Sequence, residues 1–524
     1  MGARKGRGGG ILKFKIRLLR IGAGGKPIAI LGEEDAKALG THPLDRIEIH
    51  KGRSHVISIV NVAKAFPQGF LGIYDEVLRN FDLGEGEVVE VRSAEDPVSL
   101  TYIREKILGA HLNKAQIHSI VKDISGNHLS DIELAAFVTG LQINGISLDE
   151  AEGLSRAMLK SGRTLRIDRR PILDKHSIGG VPGDKTTMLV VPIIAAAGFT
   201  IPKTSSRSIT SPAGTADRVE VLCRVDLSRE EILRVVEKTN ACMVWGGALD
   251  LAPVDDQLIK IEHPLSIDPL LLPSIMSKKK AVGAQFVVLD IPTGRGTKIK
   301  TVGEAEILAR DFIELGKRLD IRVECAVTYG EQPIGLAVGP ALEAKEALMT
   351  IMGNGPRDLL SKAEHLAGIL FEMVGKGGKV EAAHLIKSGK AEKKLREIIE
   401  AQGGNPEIKP DEIEIGDKVY DHKSTKNGRV LWIDNGAIAR IAREAGAPRD
   451  KGAGIFMGAK LGDRARKNSV LLKIYAESSQ KLESAVALVE GLNPILVSER
   501  LDGAMLIDRI PAAPQRREAF PLER

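Results

Sequence analysis

The chain has few aromatic residues and only three cysteines. Phenylalanine, tryptophan and tyrosine make up 3% of its 524 residues. Few flat side chains are therefore present on which the bases of a single-stranded nucleic acid could stack. Cys223, Cys242 and Cys325 lie far apart and form no C-x-x-C pair, so neither a disulfide framework nor a cysteine zinc site is indicated. We expect a protein of the reducing cytoplasm.

A long hydrophobic run is also missing. The longest apolar stretch, residues 188–197, contains Pro192 and is far shorter than the roughly 20 residues that a transmembrane helix needs. The basic start of the chain is followed by neither the apolar core nor the cleavage site of a signal peptide. We therefore expect no interaction with a membrane.

Acidic residues are absent from the first twenty positions, which carry seven lysines and arginines. The net charge of the whole chain is +6, so the remainder of the chain is close to neutral. A glycine-rich basic arm can contact nucleic acid, but residues 1–10 are more typical of a disordered tail. Binding of nucleic acid through this arm is kept as an alternative function.

The most informative feature that is present is a loop of glycines, hydroxyls and cations. Residues 174–187 read D-K-H-S-I-G-G-V-P-G-D-K-T-T, and the apolar run follows directly. Glycines let backbone N–H groups close around an anion, and the N-terminus of a following helix adds its dipole. The spacing fits neither the P-loop nor the dinucleotide fingerprint. The loop predicts a phosphate site, and a glycine turn without a ligand is the alternative.

Three further segments suit a phosphorylated ligand. A hydroxyl-rich loop at residues 204–217 contains Arg207, and arginine grips phosphate oxygens with a two-pronged fork. Asp268 precedes an apolar helix on which Ser274 and Lys278, four residues apart, share one face. A glycine-rich turn at 292–298 follows a predicted strand. A surface loop, a helix cap or an ordinary turn explains each segment singly, whereas the set favours one binding site.

Hydrophobic periodicity divides the chain into domains, and the predicted fold class is α/β multidomain. Alternating residues predict a β-rich, barrel-like N-terminal domain over residues 11–95. Helical periodicity predicts a helical lobe over 96–165, and we expect about 255–285 to join this lobe. Strands that alternate with helices predict a central α/β phosphate-binding domain over 166–400. Returning short strands predict a C-terminal α+β domain over 401–524.

Two local patterns refine this division. Capping boxes, in which a side chain at the N-cap and one three residues later satisfy each other's backbone N–H groups, predict three helix starts in the lobe. They begin at Asn113, Ser130 and Ser147. Lysine and glycine accumulate over residues 375–404, which predicts a linker or surface region.

The ordered set of motifs resembles the thymidine and pyrimidine nucleoside phosphorylase family. The signature of that family, D-K-H-S-T-G-G-V-G-D-K, is matched by residues 174–185, with Ile178 in place of threonine and Pro182 inserted. The family's G-G-T-x-D-K-L-E is similar to residues 213–220, and its S-I-L-S-K-K is similar to residues 274–279.

Within this resemblance, which covers roughly residues 98–520, the chain departs from nucleoside phosphorylases in three ways. It has an additional β-rich domain in front. Residues 206–211 read S-R-S-I-T-S, where the family has a glycine-rich G-R-G-L-G-H-T. The family's substrate-contacting arginine, expected before Asp268, has no clear counterpart. These departures resemble the AMP phosphorylase branch, which cleaves nucleoside 5′-monophosphates with orthophosphate and releases the base and ribose 1,5-bisphosphate.

The resemblance implies a role for each matched residue. Asp268 is the implied proton donor and His176 an implied assisting residue. The implied orthophosphate site consists of Lys175, Ser177, Thr187, Thr215 and Lys278. The implied nucleotide site consists of Gly180, Ser206, Arg207, Ser208, Ile209, Thr210, Ser211, Thr215, Ser274 and Lys298.

The implied activity is phosphorolysis of AMP, and of CMP and UMP, in nucleotide salvage or degradation. Orthophosphate is a co-substrate, and no cofactor and no metal is expected. A homodimer or a larger homo-oligomer is expected from the same resemblance. The alternatives are a thymidine or pyrimidine nucleoside phosphorylase, a more distant phosphoribosyltransferase, and the nucleic-acid-binding protein considered above.

Overall fold

The first region of the fold is a sheet of six strands closed on itself. The computed structural model describes residues 10–79, 81–208 and 211–499. The region comprises β1 (Leu12–Leu18), β2 (Ile28–Gly32), α1 (Glu33–Leu39), β3 (Arg46–Lys51), β4 (Ser54–Ala63), β5 (Phe70–Ile73), α2 (Asp75–Leu78) and β6 (Val88–Ser93). The strands pair in the order β1-β5-β2-β4-β3-β6 and close into a barrel. Phe14 and Ile16 of β1 are buried, whereas the lysine between them is exposed, because successive side chains of a strand point to opposite faces.

Four helices form the second region. They are α3 (Ser99–Ile107), α4 (Lys114–Ser125), α5 (Asp131–Asn144) and α6 (Leu148–Ser161). The three capping boxes predicted from the sequence are confirmed, since both reciprocal hydrogen bonds are present at Asn113, Ser130 and Ser147.

The central region alternates strands with helices. It comprises β7 (Leu173–Ser177), α7 (Thr187–Ala196), β8 (Ile201–Ser205), α8 (Thr215–Val219), α9 (Arg229–Thr239), β9 (Ala241–Trp245), α10 (Pro253–Leu265), α11 (Leu271–Ala281), β10 (Phe286–Thr293), α12 (Val302–Arg318), β11 (Arg322–Tyr329), β12 (Ala337–Val338), α13 (Pro340–Ile351), α14 (Arg357–Met373), α15 (Lys379–Lys387) and α16 (Lys390–Ala401). β11, β10 and β7 pair in parallel, as do β8 and β9. A parallel bridge from Ile172 to Thr200 links the two groups. The carboxyl ends of these strands therefore share one edge, where ligands bind in open α/β sheets.

Two helices of the central sequence pack on the helical lobe. Val254 and Leu258 of α10 and Leu270, just before α11, share an apolar core with Ile117 and Phe137. The turn between α10 and α11 therefore lies where the lobe meets the central region.

The predicted linker over residues 375–404 is wrong. The segment forms α15 and α16, and Leu395, Ile398 and Ile399 of α16 are fully buried in the core that surrounds α7. Lysine and glutamate occupy the opposite face of α16, so the composition concealed an amphipathic helix.

The last described region has two antiparallel sheets and two helices. It comprises β13 (Lys418–Lys423), β14 (Gly428–Ile433), α17 (Asn435–Glu444), β15 (Gly454–Met457), β16 (Arg464–Ala465), β17 (Val470–Ala476), α18 (Ser479–Leu492) and β18 (Ile495–Ser498). The sheet orders are β12-β15-β17-β13 and β16-β14-β18. The predicted multidomain α/β architecture, with a helical region and a C-terminal domain, is confirmed.

Some residues for which the sequence makes predictions lie outside the described residues. The predicted tail is outside the described residues except for Gly10, and so are residues 500–524 of the C-terminal domain. Among the described residues, no helix combines the length and the apolar character that crossing a membrane requires.

A buried ion pair holds the helical region together. Lys106 of α3 and Glu150 of α6 are each 1% exposed, and Lys106 Nζ lies 2.7 Å from Glu150 Oε1. The Glu150 carboxylate also accepts hydrogen bonds from the backbone N–H groups of Leu112 and Ser147. Burial opposes ionisation, but these N–H groups and Lys106 lower the pKa of Glu150 to about 2.

We expect Lys106→Met to lower the free energy of unfolding by about 3–5 kcal/mol at pH 7, because it leaves a buried carboxylate without its cation. Lys114→Met is the matched control. Lys114 pairs with Glu152 of α6 but is 65% exposed, so its removal costs about 1 kcal/mol or less. Urea unfolding of both variants measures the difference, and equal losses would contradict the assignment.

The same pair predicts a pH dependence. Since the pKa of Glu150 is lowered on folding from 4.5 to about 2, its contribution to stability is present above about pH 5 and is lost as the pH falls towards 2. The stability difference between the wild type and Lys106→Met should therefore shrink over that interval.

Candidate active site

Loops from two neighbouring parallel strands touch at the carboxyl edge of the sheet. Gly180 follows β7 and has a positive φ of +93°, which favours glycine. A Cβ atom at Gly180 would lie 2.8 Å from the backbone nitrogen of Lys298, in the turn that follows β10. Only a glycine lets the two loops approach this closely, so two predicted nucleotide-binding residues meet here.

Three of the predicted orthophosphate residues, Lys175, Ser177 and Thr187, lie on β7 and at the start of α7. This lysine is 1% exposed, and its Nζ lies 3.5 Å from the Thr187 hydroxyl at the start of α7. Ser177 is two residues further along β7, on the same side of the strand. Burial lowers the pKa of Lys175, although Asp184 and Asp290 oppose the shift. A lysine, two hydroxyls and a helix N-terminus together suit an anion.

A network of opposite charges lies behind Lys175. Lys362 of α14 lies 2.7 Å from Asp290 Oδ2 and 3.6 Å from Asp184 Oδ2, and Lys175 lies 4.0 Å from the same Asp184 oxygen. Burial opposes ionisation of Asp184, but Lys175 and Lys362 hold its pKa well below the ordinary value. The two lysines and two aspartates offset each other's charge, so the network holds Lys175 in place.

A second buried carboxylate, that of Asp174, lies close to two lysines. Asp174 Oδ2 lies 2.7 Å from Lys279 Nζ, and Asp174 Oδ1 lies 3.7 Å from Lys203 Nζ. Burial, together with these two lysines, lowers the pKa of His176 well below its usual value. The imidazole of His176 is therefore neutral near pH 7.

Arg207 is held by carboxylates. Its two terminal nitrogens donate to the two carboxylate oxygens of Glu220 at 2.8 and 2.6 Å, and one of them also donates to Asp226 at 3.2 Å. The guanidinium lies 5.1 Å from the centre of the Trp245 ring. The hydrogen bonds with Glu220 raise the pKa of Arg207. The contacts described for Arg207 therefore hold the hydroxyl-rich loop to the protein.

The backbone of the same loop is drawn together by one aspartate. The N–H groups of Ser208 and Gly214 both donate to Asp217 Oδ2, at 2.7 and 2.8 Å. A Cβ atom at Gly214 would lie 2.5 Å from the Ser208 nitrogen, so the close approach requires glycine. Thr215 follows as the first residue of α8.

The serines of this loop make local contacts within it. Ser208 and Ser211 lie with their Oγ atoms 3.3 Å apart, and the Ser206 carbonyl accepts a hydrogen bond from Ala216. Ile209 and Thr210, which belong to the predicted nucleotide site, lie outside the described residues.

The predicted proton donor lies on the turn between α10 and α11. Asp268 Oδ2 is 2.7 Å from Lys298 Nζ, and both side chains are partly exposed. Asp268, Lys298 and Gly180, which are widely separated in the sequence, are thereby linked through Lys298.

The predicted shared face of Ser274 and Lys278 is present, and its partner is Asp255. The Ser274 hydroxyl donates to Asp255 Oδ2 at 2.9 Å, and Lys278 Nζ lies 2.5 Å from the same oxygen. Asp255 is fully buried on α10. In the described part of the chain, no group of three or more histidine, cysteine, aspartate or glutamate side chains is placed to hold a metal ion.

Three family models match successive parts of the chain. Residues 100–162 match the glycosyl transferase family, helical bundle domain, and residues 169–392 match the glycosyl transferase family, a/b domain. Residues 430–495 match the pyrimidine nucleoside phosphorylase C-terminal domain.

Curated relatives match over nearly the whole length. The chain is 49% identical to an AMP phosphorylase of Thermofilum pendens, over 96% of this chain and 99% of the relative. It is 52% identical to an AMP phosphorylase of Thermococcus sibiricus and 53% identical to one of Thermococcus kodakarensis, in each case over 95% of this chain and 99% of the relative. The chain belongs to the AMP phosphorylase family. The resemblance inferred from the sequence motifs is thereby confirmed.

Several residues of this AMP phosphorylase family member escaped the sequence analysis. Asp290 could have been found from the sequence, because it is a charged residue within an apolar strand. Lys362 and Asp255 could not have been found in this way, since each acquires its partner only when separate elements pack together. Glu220 is the last residue of the motif at 213–220, but its pairing with Arg207 appears only in the structure.

Proposed function

We propose that this chain phosphorolyses nucleoside 5′-monophosphates. Orthophosphate attacks C1′ of AMP, the bond between C1′ and the base breaks, and adenine and ribose 1,5-bisphosphate are released in nucleotide salvage or degradation. One observation carries the proposal: Asp268, Lys298 and Gly180 meet at the sheet edge on which Lys175 also lies. The AMP phosphorylase relatives support the same reaction.

The attacking orthophosphate is assigned to Lys175 and to the residues that the family resemblance groups with it. Its residues are Lys175, Ser177, Thr187, Thr215 and Lys278. The charge of Lys175 and the neighbouring hydroxyls hold the anion in line with C1′, which turns a bimolecular attack into an oriented one. The network of Lys362, Asp184 and Asp290 supports this orientation by restraining Lys175.

The nucleotide is assigned to a second group of residues, which shares Thr215 with the orthophosphate group. Its residues are Gly180, Ser206, Arg207, Ser208, Ile209, Thr210, Ser211, Thr215, Ser274 and Lys298. A nucleotide brings a 5′-phosphate and therefore needs a second anion site, for which the loop at 206–211 offers hydroxyls, backbone N–H groups and the charge of Arg207. CMP and UMP carry the same phosphate and are included in the proposal.

Asp268 is assigned as the proton donor. A purine leaves more readily when a ring nitrogen is protonated as the bond to C1′ breaks, and a positioned acid contributes about 10²–10⁴-fold in rate. His176 is assigned an assisting role: as a neutral imidazole it can donate a hydrogen bond without adding positive charge near the developing oxocarbenium ion.

The remaining sequence-based expectations are part of the proposal. No cofactor is required, and the unpaired cysteines fit a cytoplasmic enzyme. A homodimer or larger homo-oligomer fits the helical lobe. Ile107 of α3 and Ile132 and Ile143 of α5 are exposed there, as is Leu108 directly after α3, and the two helices pack together. Sedimentation equilibrium measures the mass in solution. The domain boundaries that the sequence predicts are also part of the proposal.

Base release from a panel of substrates tests the proposed reaction. We expect phosphate-dependent release from AMP, and also from CMP and UMP, with ribose 1,5-bisphosphate as the second product. Chromatography of the bases, with and without orthophosphate, measures it. Equal turnover of AMP and adenosine, or a preference for thymidine, would favour a nucleoside phosphorylase instead.

Asp268→Asn should lower kcat by about 10²–10⁴-fold, because the amide has no proton of suitable acidity to donate. The KM for AMP should change by no more than about threefold, since the lost interaction belongs to the transition state. Asp320→Asn is the control, because Asp320 is also an exposed aspartate paired with a lysine. An unchanged kcat in Asp268→Asn would remove Asp268 from the acid role.

Arg207→Ala should raise the KM for AMP by about tenfold or more, the equivalent of about 1.4 kcal/mol, with a smaller effect on adenosine. Arg310→Ala, at an exposed arginine of α12, is the control. Glu220→Gln distinguishes direct contact with the 5′-phosphate from support of the loop. If Arg207 only holds the loop in place, Arg207→Ala and Glu220→Gln should raise the KM for AMP by similar factors. Equal changes for AMP and adenosine would contradict a site for the 5′-phosphate.

A further inference from the structure

A buried arginine of α8 joins the glycine loop to the hydroxyl-rich loop. Arg218 is 5% exposed. One of its terminal nitrogens donates a hydrogen bond to the backbone carbonyl of Asp184, in the glycine loop. The other donates to the backbone carbonyl of Ala213, in the hydroxyl-rich loop, at 2.7 Å. Because the guanidinium is planar and rigid, its two terminal nitrogens fix how far apart the two loops lie.

Each of these two hydrogen bonds is made close to a residue assigned to orthophosphate. Asp184 lies shortly before Thr187, the first residue of α7, and its carboxylate lies 4.0 Å from Lys175 Nζ. Ala213 lies shortly before Thr215, the first residue of α8. Lys175, Thr187 and Thr215 all belong to the proposed orthophosphate group. A shift of either loop would therefore change the spacing of the side chains that hold the anion.

The charge of Arg218 is offset by a glutamate of α13. Arg218 Nε lies 3.0 Å from Glu343 Oε2, and Glu343 is fully buried. The other carboxylate oxygen of Glu343 accepts the N–H of Gly339 at 3.0 Å. A buried cation needs such a partner, and the pairing through Nε leaves both terminal nitrogens to the two loops. The side chain of Arg218 therefore anchors both loops to α13.

The sequence at this position differs from the motif of the nucleoside phosphorylases. That motif, G-G-T-x-D-K-L-E, has lysine where this chain has Arg218. A lysine carries a single terminal nitrogen, whereas arginine presents two terminal nitrogens in a fixed fork. The fork lets Arg218 reach the carbonyls of Asp184 and Ala213 at the same time. The difference in sequence thus corresponds to a specific pair of contacts.

We propose that Arg218 is a positioning residue for orthophosphate. By holding the glycine loop and the hydroxyl-rich loop together, it sets the spacing between Thr187 and Thr215. Arg218 itself contacts neither substrate and transfers no proton. This inference rests on the proposed function, because that function assigns the two threonines to the attacking orthophosphate.

Arg218→Lys tests this role, because it keeps a positive charge beside Glu343 but removes the fork. It should raise the KM for orthophosphate by about tenfold, since small displacements of positioning groups are costly. The KM for AMP should rise by no more than about threefold, because the hydroxyl-rich loop keeps its contacts with Glu220 and Asp217. A residue that only stabilised the fold would lower the Tm and leave the KM for orthophosphate unchanged.

Arg396→Lys is the matched control. Arg396 of α16 also pairs with a carboxylate, that of Glu392, and also donates to two backbone carbonyls, those of Pro406 and Ile408. It has no contact with either loop of the site in the described part of the chain, so both KM values should stay at the wild-type level. Circular dichroism and thermal unfolding verify that each variant is folded.

A double variant guards against misfolding. Arg218→Met combined with Glu343→Gln removes both charges, so no buried ion is left without a partner, and the amide oxygen can still accept the Gly339 N–H. This protein should show a KM for orthophosphate raised at least as much as in Arg218→Lys. Isothermal titration calorimetry with inorganic phosphate measures the same loss as weaker binding, independently of turnover.

Coupling to Thr215 tests the route by which Arg218 acts. Thr215→Val removes the hydroxyl at nearly constant volume and should itself raise the KM for orthophosphate. If Arg218 acts by placing Thr215, the two changes are not independent. Arg218→Lys combined with Thr215→Val should then raise the KM by less than the product of the two single factors. A rise equal to the product would overturn the proposal.

Failure of the proposed function and failure of this inference have different signatures. A wild-type protein that releases no adenine from AMP in the presence of phosphate would overturn both. An active wild type, with an unchanged KM for orthophosphate in Arg218→Lys and in the Arg218→Met, Glu343→Gln protein, would overturn the inference alone. Equal rises in the KM for orthophosphate and for AMP would also overturn it, because the positioning would then not be specific to orthophosphate.

Discussion

Compensation of buried charge is the constraint on which the candidate site depends. Lys175 is inside the protein, where an unpaired charge costs several kcal/mol. The carboxylates of Asp184 and Asp290 balance the charge of Lys175 together with that of Lys362. These residues come from the glycine loop, β10 and α14. The loop can therefore keep a buried cation for an anionic ligand only while the sheet and α14 are correctly packed.

The parallel sheet then decides which loops can meet. Because β7 and β10 are adjacent and parallel, the segments that follow them emerge at the same edge, and Gly180 lets them touch. The helical lobe lies on the other side, since Val254 and Leu258 of α10 and Leu270 share its core and the turn between α10 and α11 brings Asp268 to Lys298. The site thus lies between two regions, a common location for small-molecule sites.

Asp268 is paired with a residue of the central region. Its carboxylate, on the turn between α10 and α11, lies 2.7 Å from Lys298 Nζ, in the turn that follows β10. Lys298 belongs to the proposed nucleotide site, so a residue assigned to substrate binding also contacts the proposed proton donor. The hydroxyl-rich loop is held at two separate places. Arg207 pairs with Glu220, and the backbone N–H groups of Ser208 and Gly214 donate to Asp217.

The sequence by itself determined the order of motifs, the helix starts at the capping boxes and the family. These features depend on neighbouring residues, whose spacing is preserved in the chain. Only the tertiary structure decided that Lys362 pairs with Asp290, that Ser274 and Lys278 share Asp255, and that α16 is a packed helix rather than a linker. The physical reason is that local periodicity records which face of a segment is apolar, whereas the partner of a buried charge is set by the packing of elements distant in sequence.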